Sequence, residues 1–270
     1  MKKVFVTYGN ERYYSSLERL RKEAEALQFF DEIRIITDKD LPEYITQSAL
    51  YNYNRGGGYW VWKPWVVLNV LKGLQDDDIL IYSDAGCQLF PDREWDEWWK
   101  TMKTYNGIFF SYGGTMEQFC RSNLLRYFGN DLLKYYYQIQ SGFFIIKKKA
   151  VYIAEEWQEI MLKHPEMVMD TTEEEHKNES FKYREHRHDQ AVLSGVVYRN
   201  ECKLNLKVKW QRMESKFRRG QAVYAARIAT GRQRPMPRFE PLFITIGKAL
   251  VFSPYRKIRM RFLKSINNTW

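Results

Sequence analysis

Short unbroken apolar runs alternate along this chain with longer stretches in which apolar residues recur every three or four positions. The runs Val4-Phe5-Val6, Ile35-Ile36, Ile79-Leu80-Ile81-Tyr82, Ile108-Phe109-Phe110 and Phe143-Phe144-Ile145-Ile146 are bounded by turn residues, which predicts strands. Between about Tyr13 and Gln28, Leu17, Leu20, Ala24 and Leu27 share one helical face opposite Glu and Arg residues. A second helix, with Pro64 in its first turn, carries Val66, Val67, Val70 and Leu71 inward and ends near Gly73. Trp95, Trp98 and Trp99 predict an amphipathic helix, and helical stretches follow around residues 120–138. The clearest periodicity runs from Lys149 to Lys163, with Ala150, Ile153, Ala154, Trp157, Ile160 and Met161 on one face. Residues 170–184 are polar and acidic and read as a surface loop. After them His188-Asp189-Gln190 opens a further helix with Asp189 as its N-cap.

The opening order of strand Lys3–Thr7, helix and strand Glu32–Thr37 predicts a parallel, Rossmann-like sheet. The turn Tyr8-Gly9-Asn10 is not followed by GxGxxG, which argues against a dinucleotide site. Ligands of such sheets sit beyond the carboxyl ends of the strands. There the strand from Ile79 runs into Asp84, and Ala85-Gly86 leaves room for a phosphate or metal to approach the backbone. A plain Asp-Gly-type turn is the alternative for these residues alone. Upstream, Arg55 and Lys63 bracket Gly56-Gly57-Gly58-Tyr59-Trp60-Val61-Trp62, a glycine-rich segment suited to phosphate. A Trp pair pinning the helix to the core is the competing explanation.

Composition places these elements in a globular protein: 270 residues, 44% hydrophobic and 28% charged, are enough for one sizeable core. The net charge of +10 is uneven, because residues 201–270 hold seven Lys and ten Arg against three Glu, which leaves residues 1–200 at −4. A basic tail on a mildly acidic body points to contact with an anionic surface and argues against nucleic acid as the main partner; neither an RRM nor a KH signature occurs. Residues 254–266 set Tyr255, Ile258, Phe262, Leu263 and Ile266 on one helical face, with Arg256, Lys257, Arg259, Arg261 and Lys264 around the rest. That is the pattern of a basic amphipathic helix lying on a membrane surface, and also of an ordinary surface helix. The preceding stretch Pro241–Ser253 carries one charge, Lys248, which favours the membrane. Cys87, Cys120 and Cys202 are widely spaced without CxxC, as suits a reducing compartment. The first apolar run is too short for a signal peptide, and no stretch approaches the ~20 apolar residues of a membrane span.

These parts, in this order, resemble the GT-A fold of nucleotide-sugar glycosyltransferases. The pieces that carry the resemblance are Val4–Thr7, Trp60–Pro64, Ile79–Asp84, Gln140-Ser141-Gly142 and His188-Asp189-Gln190, and they cover roughly residues 1–200. The segments Tyr59-Trp60-Val61-Trp62-Lys63-Pro64 and Tyr82-Ser83-Asp84-Ala85-Gly86-Cys87 are similar to those of bacterial surface-polysaccharide glycosyltransferases. The family's DxD motif corresponds here to Tyr82-Ser83-Asp84, with Tyr82 in place of the first carboxylate; the register Asp84-Ala85-Gly86 loses the second instead.

The resemblance implies an α/β fold with a mixed, mostly parallel sheet flanked by helices. It also implies a catalytic domain over residues 1–200 and a basic C-terminal extension over 201–270. It makes Asp84 the ligand of a Mn²⁺ or Mg²⁺ ion that neutralises the leaving nucleoside diphosphate. With one carboxylate missing, affinity is weaker or a histidine, His186 or His188, assists. Thr7 and Tyr8 would meet the nucleoside with Asp38 nearby, Lys63 and Arg55 the diphosphate or the donor sugar, and Ser83 the donor. Ser141 and Gly142 would border the donor sugar. Asp189 would serve either as base for the acceptor hydroxyl or as holder of donor-sugar hydroxyls, with retention of configuration slightly favoured. Tyr59, Trp60 and Trp62 are placed to stack on a base or on an acceptor sugar. The expected protein is a glycosyltransferase acting on a glycan or lipid-linked acceptor, in the cytoplasm and peripheral on the inner face of the membrane. Alternatives are a sugar nucleotidyltransferase, whose glycine-rich basic loop after the first strand is not matched by Tyr8-Gly9-Asn10-Glu11-Arg12, and a non-catalytic binder of nucleic acid or membrane.

Overall fold

The computed structural model of the protein describes residues 1–214, 221–229, 246–247, 250 and 253–266. Its strands are β1 (Lys3–Gly9), β2 (Glu32–Thr37), β3 (Ile79–Ser83), β4 (Gln88–Leu89), β5 (Gly107–Thr115), β6 (Tyr137–Ile139), β7 (Phe143–Lys147), β8 (Leu206–Trp210) and β9 (Val223–Tyr224). Seven of them form one sheet, while β4 and β9 make a small antiparallel pair beside it. β1 lies parallel between β2 and β3, and β3 pairs antiparallel with β7. β5 runs antiparallel to β7 and β6 along one edge and parallel to β8 along the other, Gly107 and Ser111 each pairing on both sides. β1, β2, β3, β5 and β8 therefore point one way, and β6 and β7 the other. This is a mixed, mostly parallel, Rossmann-like sheet. The chain beyond residue 200 supplies one of its strands: Leu206-Lys207-Val208-Lys209-Trp210 has the period of two that a strand requires.

Alternation within the apolar runs builds the two helical layers. In β1, Val4, Val6 and Tyr8 join Leu80, Tyr82, Phe144 and Ile146 under the helices Trp62–Lys72, Tyr152–Lys163 and His188–Asn200. Phe5, Ile79, Ile81 and Ile145 face the other way, under the helices Tyr14–Leu27 and Glu94–Thr104. Trp95 and Trp98 of the latter are fully buried and meet edge to face at 4.9 Å between ring centroids.

Three local readings change. The helix opening near residue 188 has Arg187, not Asp189, as its N-cap, because the Asp189 carboxylate is drawn inward to Lys63. The acidic stretch 170–184 contains a short helix, Glu173–Lys177, whose end is closed by a Thr172/Glu175 capping box. The tail helix Ser253–Ile266 divides its faces: Leu263 is buried and Met260 packs on the core, whereas Tyr255, Ile258, Phe262 and Ile266 are exposed. Most of the apolar stretch Pro241–Ser253 lies outside the described residues. Among the described residues no helix is long and apolar enough to cross a membrane.

The pairing brings three chain segments to one edge. The parallel strands β1 and β3 end there, and antiparallel β7 begins there, so Ser83 faces Phe143 and the Asp84 N–H donates to the Gly142 carbonyl at 2.8 Å. The glycine-rich segment reaches the same edge through backbone only glycine adopts readily: Gly57 has φ +59° and Gly58 +89°. A Cβ on Gly58 would stand 2.5 Å from the Tyr51 Cα, whereas one on Gly57 meets nothing nearer than 3.7 Å. Gly58→Ala is expected to destabilise the fold by more than the ~1–2 kcal/mol that left-handed backbone alone costs an alanine, and Gly57→Ala by about that amount. Urea unfolding of the two variants checks this; equal losses would mean that Tyr51 does not confine the loop.

Candidate active site

Lys63 is the centre of the site. It stands in the first turn of the helix Trp62–Lys72 and is 1% exposed. Its ammonium lies 3.1 Å from Asp84 Oδ1, 3.2 Å from Asp189 Oδ2 and 3.4 Å from the Ser141 hydroxyl. Asp84 comes from the end of β3, Ser141 from the turn before β7, and Asp189 from the first turn of the helix His188–Asn200. A buried lysine needs such partners. Burial alone drives its pKa down, and Asp189 and Asp84 together reverse this and hold it above its ordinary value, so the ammonium is charged.

The two carboxylates differ in setting. Asp189 is buried, which pushes its carboxyl up; Lys63 opposes that and Asp84 adds to it. Its Oδ2 lies 3.2 Å from the Lys63 ammonium, and hydrogen bonds from Ser141 and Lys63 also favour its charged form. The Asp84 side chain is 36% exposed and opens outward. Tyr82, the residue standing where the family motif has a carboxylate, donates its hydroxyl to Asp84 Oδ1 at 2.7 Å. Burial first, and then Asp84, push the Tyr82 phenol far up, so it keeps that proton. Gly142 closes on the other oxygen: a Cβ there would come within 3.0 Å of Asp84 Oδ2. Cys87, close by, is no nucleophile, since burial and Asp84 push its thiol up to about 12.

The other expected site residues divide between this cluster and elsewhere. Thr7 is buried at the end of β1 with its Oγ1 unpartnered among the described residues, and Ser83 is buried beside Asp84. Tyr8 stacks on Trp62 at 3.9 Å, and the Trp62 indole donates to the Gly56 carbonyl at 3.1 Å. Trp62 and Tyr59 are therefore buried packing elements, leaving Trp60 as the half-buried ring of the three. Asp38 accepts a hydrogen bond from Tyr14 at 2.8 Å. Arg55 pairs at 2.6 Å with Asp170, away from the Lys63 contacts. The two histidines also separate. His186 has both ring nitrogens engaged, with Met167 O at 3.0 Å and the Arg121 N–H at 3.3 Å, so it has no lone pair for a metal. His188 contacts Val168, Asp170, Tyr59 and Trp60.

Some neighbours of the site had no sequence signal. Arg19 donates to the carbonyls of Ala85 at 3.0 Å and Cys87 at 2.8 Å, clamping the turn after Asp84. From the far end of the chain, the Ile228 N–H donates to Gly86 O at 3.1 Å. The adjacent Arg227 guanidinium is exposed and held above its ordinary value first by Glu214 and further by Asp84.

A divalent ion would have to be held by few protein atoms. Among the described residues no group of three His, Cys, Asp or Glu side chains could cage one. The outward Asp84 carboxylate fits a hard cation that arrives with a diphosphate and keeps its waters, whereas Asp189 Oδ2 is taken up by the Lys63 ammonium.

No profile of a known protein family matches the sequence, and no curated protein matches it. Solved structures resemble it in fold. A glycosyltransferase involved in the glycosylation of the major capsid of PBCV-1 has a TM-score of 0.43 at 10% identity, covering 78% of this chain and 82% of its own. The galactosyltransferase LgtC, solved with donor and acceptor sugar analogues, has a TM-score of 0.43 at 14% identity, over 80% of this chain and 75% of its own. The 4-diphosphocytidyl-2C-methyl-D-erythritol synthase of Anaerococcus prevotii has a TM-score of 0.40 at 12% identity, over 78% of this chain and 89% of its own. The chain is similar to GT-A glycosyltransferases in fold.

His186 and His188 are each 3% exposed, and burial draws both imidazoles below the ordinary 6.5, His186 well below. The unfolded chain then binds more protons than the folded one below that value, so their contribution to stability is complete above about 6.5 and is lost as pH falls. Urea midpoints measured between about pH 7.5 and about pH 5 decline, and more steeply than in a His186→Asn variant. Identical slopes in both proteins would contradict the buried, neutral state of His186.

Proposed function

We propose that this protein is a glycosyltransferase that moves a sugar from a nucleotide-sugar donor to a glycan or lipid-linked acceptor in surface-polysaccharide synthesis. The observation that carries the reading is the buried Lys63 ammonium held between Asp84 and Asp189 at the carboxyl edge of the sheet. The three charges sum to −1, and their outward member is Asp84. A bare diphosphate is repelled by that carboxylate, so the donor comes with Mn²⁺ or Mg²⁺, which when bound supplies charge neutralisation to the leaving diphosphate.

The chain's own groups have separate tasks. Asp84 takes the cation-bearing diphosphate on the oxygen beside Gly142, while Tyr82 and Lys63 hold its other oxygen in place. Arg227, exposed beside the turn, adds positive charge on the donor side. Asp189, kept in place by Lys63, accepts from a donor-sugar hydroxyl. Ser141 and Gly142 border that sugar. Retention of the anomeric configuration is the course the strand motif favours, and proton NMR of the first-formed product reads it.

A thermal-shift screen against UDP, GDP and CDP and their sugars, with and without Mn²⁺, tests the reading. A metal-dependent rise with one base, lost in Asp84→Asn, is the expected result, and ligand at about 100 times its dissociation constant contributes about 2.7 kcal/mol. No rise with any nucleotide would contradict the assignment, and a rise confined to nucleoside triphosphates would favour a nucleotidyltransferase.

The tail helix supports attachment to an anionic membrane face. Arg256 lies over the Trp210 ring at 3.7 Å and Arg259 donates to Tyr135 O at 3.1 Å, which fixes the helix on the body. Its exposed side then presents Tyr255, Ile258, Phe262 and Ile266 together with Lys257 and Arg261. Sedimentation with vesicles rich in phosphatidylserine should weaken when Ile258 and Phe262 are both replaced by Ser. Equal sedimentation of the variant, or none with wild type, would rule this attachment out.

A further inference from the structure

A second polar cluster lies beside the first and is not absorbed by it. His188 is 3% exposed, and its Nδ1 is 2.7 Å from the Val168 carbonyl, so Nδ1 carries the proton and Nε2 presents a lone pair. That Nε2 has no hydrogen-bond partner among the described residues. Asp170 Oδ1 stands 3.7 Å from it. Nε2 and the Asp170 carboxylate thus stand side by side without a hydrogen bond between them, which leaves each free to meet a polar group of a ligand.

The rest of the cluster narrows what that group is. Asp170 is fixed from behind by Arg55 at 2.6 Å and by the Tyr59 hydroxyl at 2.7 Å. The Arg55 and Asp170 side chains are 50% and 48% exposed, so the cluster opens to solvent at one end and closes on His188 at the other. The rings of Tyr59 and Trp60 lie 5.0 and 5.8 Å from the imidazole. Tyr59, Trp60 and His188 all have left-handed backbones, with φ of +49°, +60° and +41°. Such strain in non-glycine residues gathers where a site over-determines the chain. A metal ion is the poorer occupant, since no third His, Cys, Asp or Glu ligand joins these two among the described residues.

We propose that His188 Nε2, Asp170 and Arg55 form a subsite for neighbouring hydroxyl groups of the acceptor carbohydrate. One hydroxyl donates to Nε2, the next donates to Asp170, and Arg55 donates to an oxygen of the same pair. Trp60 lies along the apolar side of the sugar. The proposal rests on the glycosyltransferase reading in one respect: His188 precedes Asp189, which places the subsite next to the donor cluster and makes its occupant the acceptor.

The test uses the full chain on a printed array of neutral and acidic oligosaccharides, with nucleoside-diphosphate thermal shifts measured in parallel. Wild type retains a defined glycan class, and Asp170→Ala and His188→Asn each weaken that binding at least about tenfold while the nucleotide shift is kept. Asparagine tolerates the left-handed backbone at position 188; should that variant not fold, Asp170→Ala, at the surface, decides alone. Unchanged glycan binding in Asp170→Ala overturns the subsite, as does a wild type that binds nucleotide and no glycan. Wild type that binds neither overturns the glycosyltransferase reading itself.

Discussion

A buried ammonium cannot stand alone in a protein interior. Moving such a charge out of water costs several kcal/mol even after relaxation, and only close opposite charges offset it. Lys63 therefore ties together the helix it begins, the end of β3 and the helix that carries Asp189, while Ser141 adds the turn into β7. Removing any one partner leaves an uncompensated charge behind, so the same contacts that arrange the site also hold its supporting elements in register. The cluster is a structural clamp, and the aromatic residues around it serve it: Tyr8 stacks on Trp62, and Tyr82 anchors Asp84.

The sheet explains why these groups converge. β1 and β3 end at the same edge because they are parallel, and β7 begins there because it is antiparallel. The reversal at β7 is what brings Gly142 against Asp84. Segments from the C-terminal part then cover the turn that follows, through Ile228 on Gly86 and through the β4–β9 pair. The basic extension is thus joined to the body in two ways, by a strand in the main sheet and by contacts around the Asp84 turn.

Much of this was legible in order along the chain. Unbroken apolar runs marked the buried strands because a strand covered on both faces has no polar side, and the 3.6-residue spacing marked the long helices. Asp84, Lys63, Ser141, Gly142 and Asp189 each stand out in the sequence, and the fold brings them together. What sequence could not show is which partner each charge chooses. Arg55 reads as a phosphate ligand next to glycines, yet it meets Asp170 from 115 positions away. Asp189 looks like a helix cap, and a buried lysine outcompetes the backbone for it. Tyr82 reads as a lost carboxylate, although its hydroxyl is what orients the one that remains. Contacts such as Arg227 and Ile228 against Gly86 depend on long-range docking of a segment with weak periodicity, where local pattern carries no information about neighbours.

The central claim is that the Lys63-centred charges serve sugar transfer from a nucleotide donor. The most direct measurement is nucleoside-diphosphate release by the purified full chain from a panel of UDP-, GDP- and CDP-sugars, comparing wild type with a folded Lys63→Met variant. The account predicts release from one donor by wild type and a loss of about a hundredfold or more in the variant. Release from none of the donors, or undiminished turnover without the Lys63 ammonium, would contradict it.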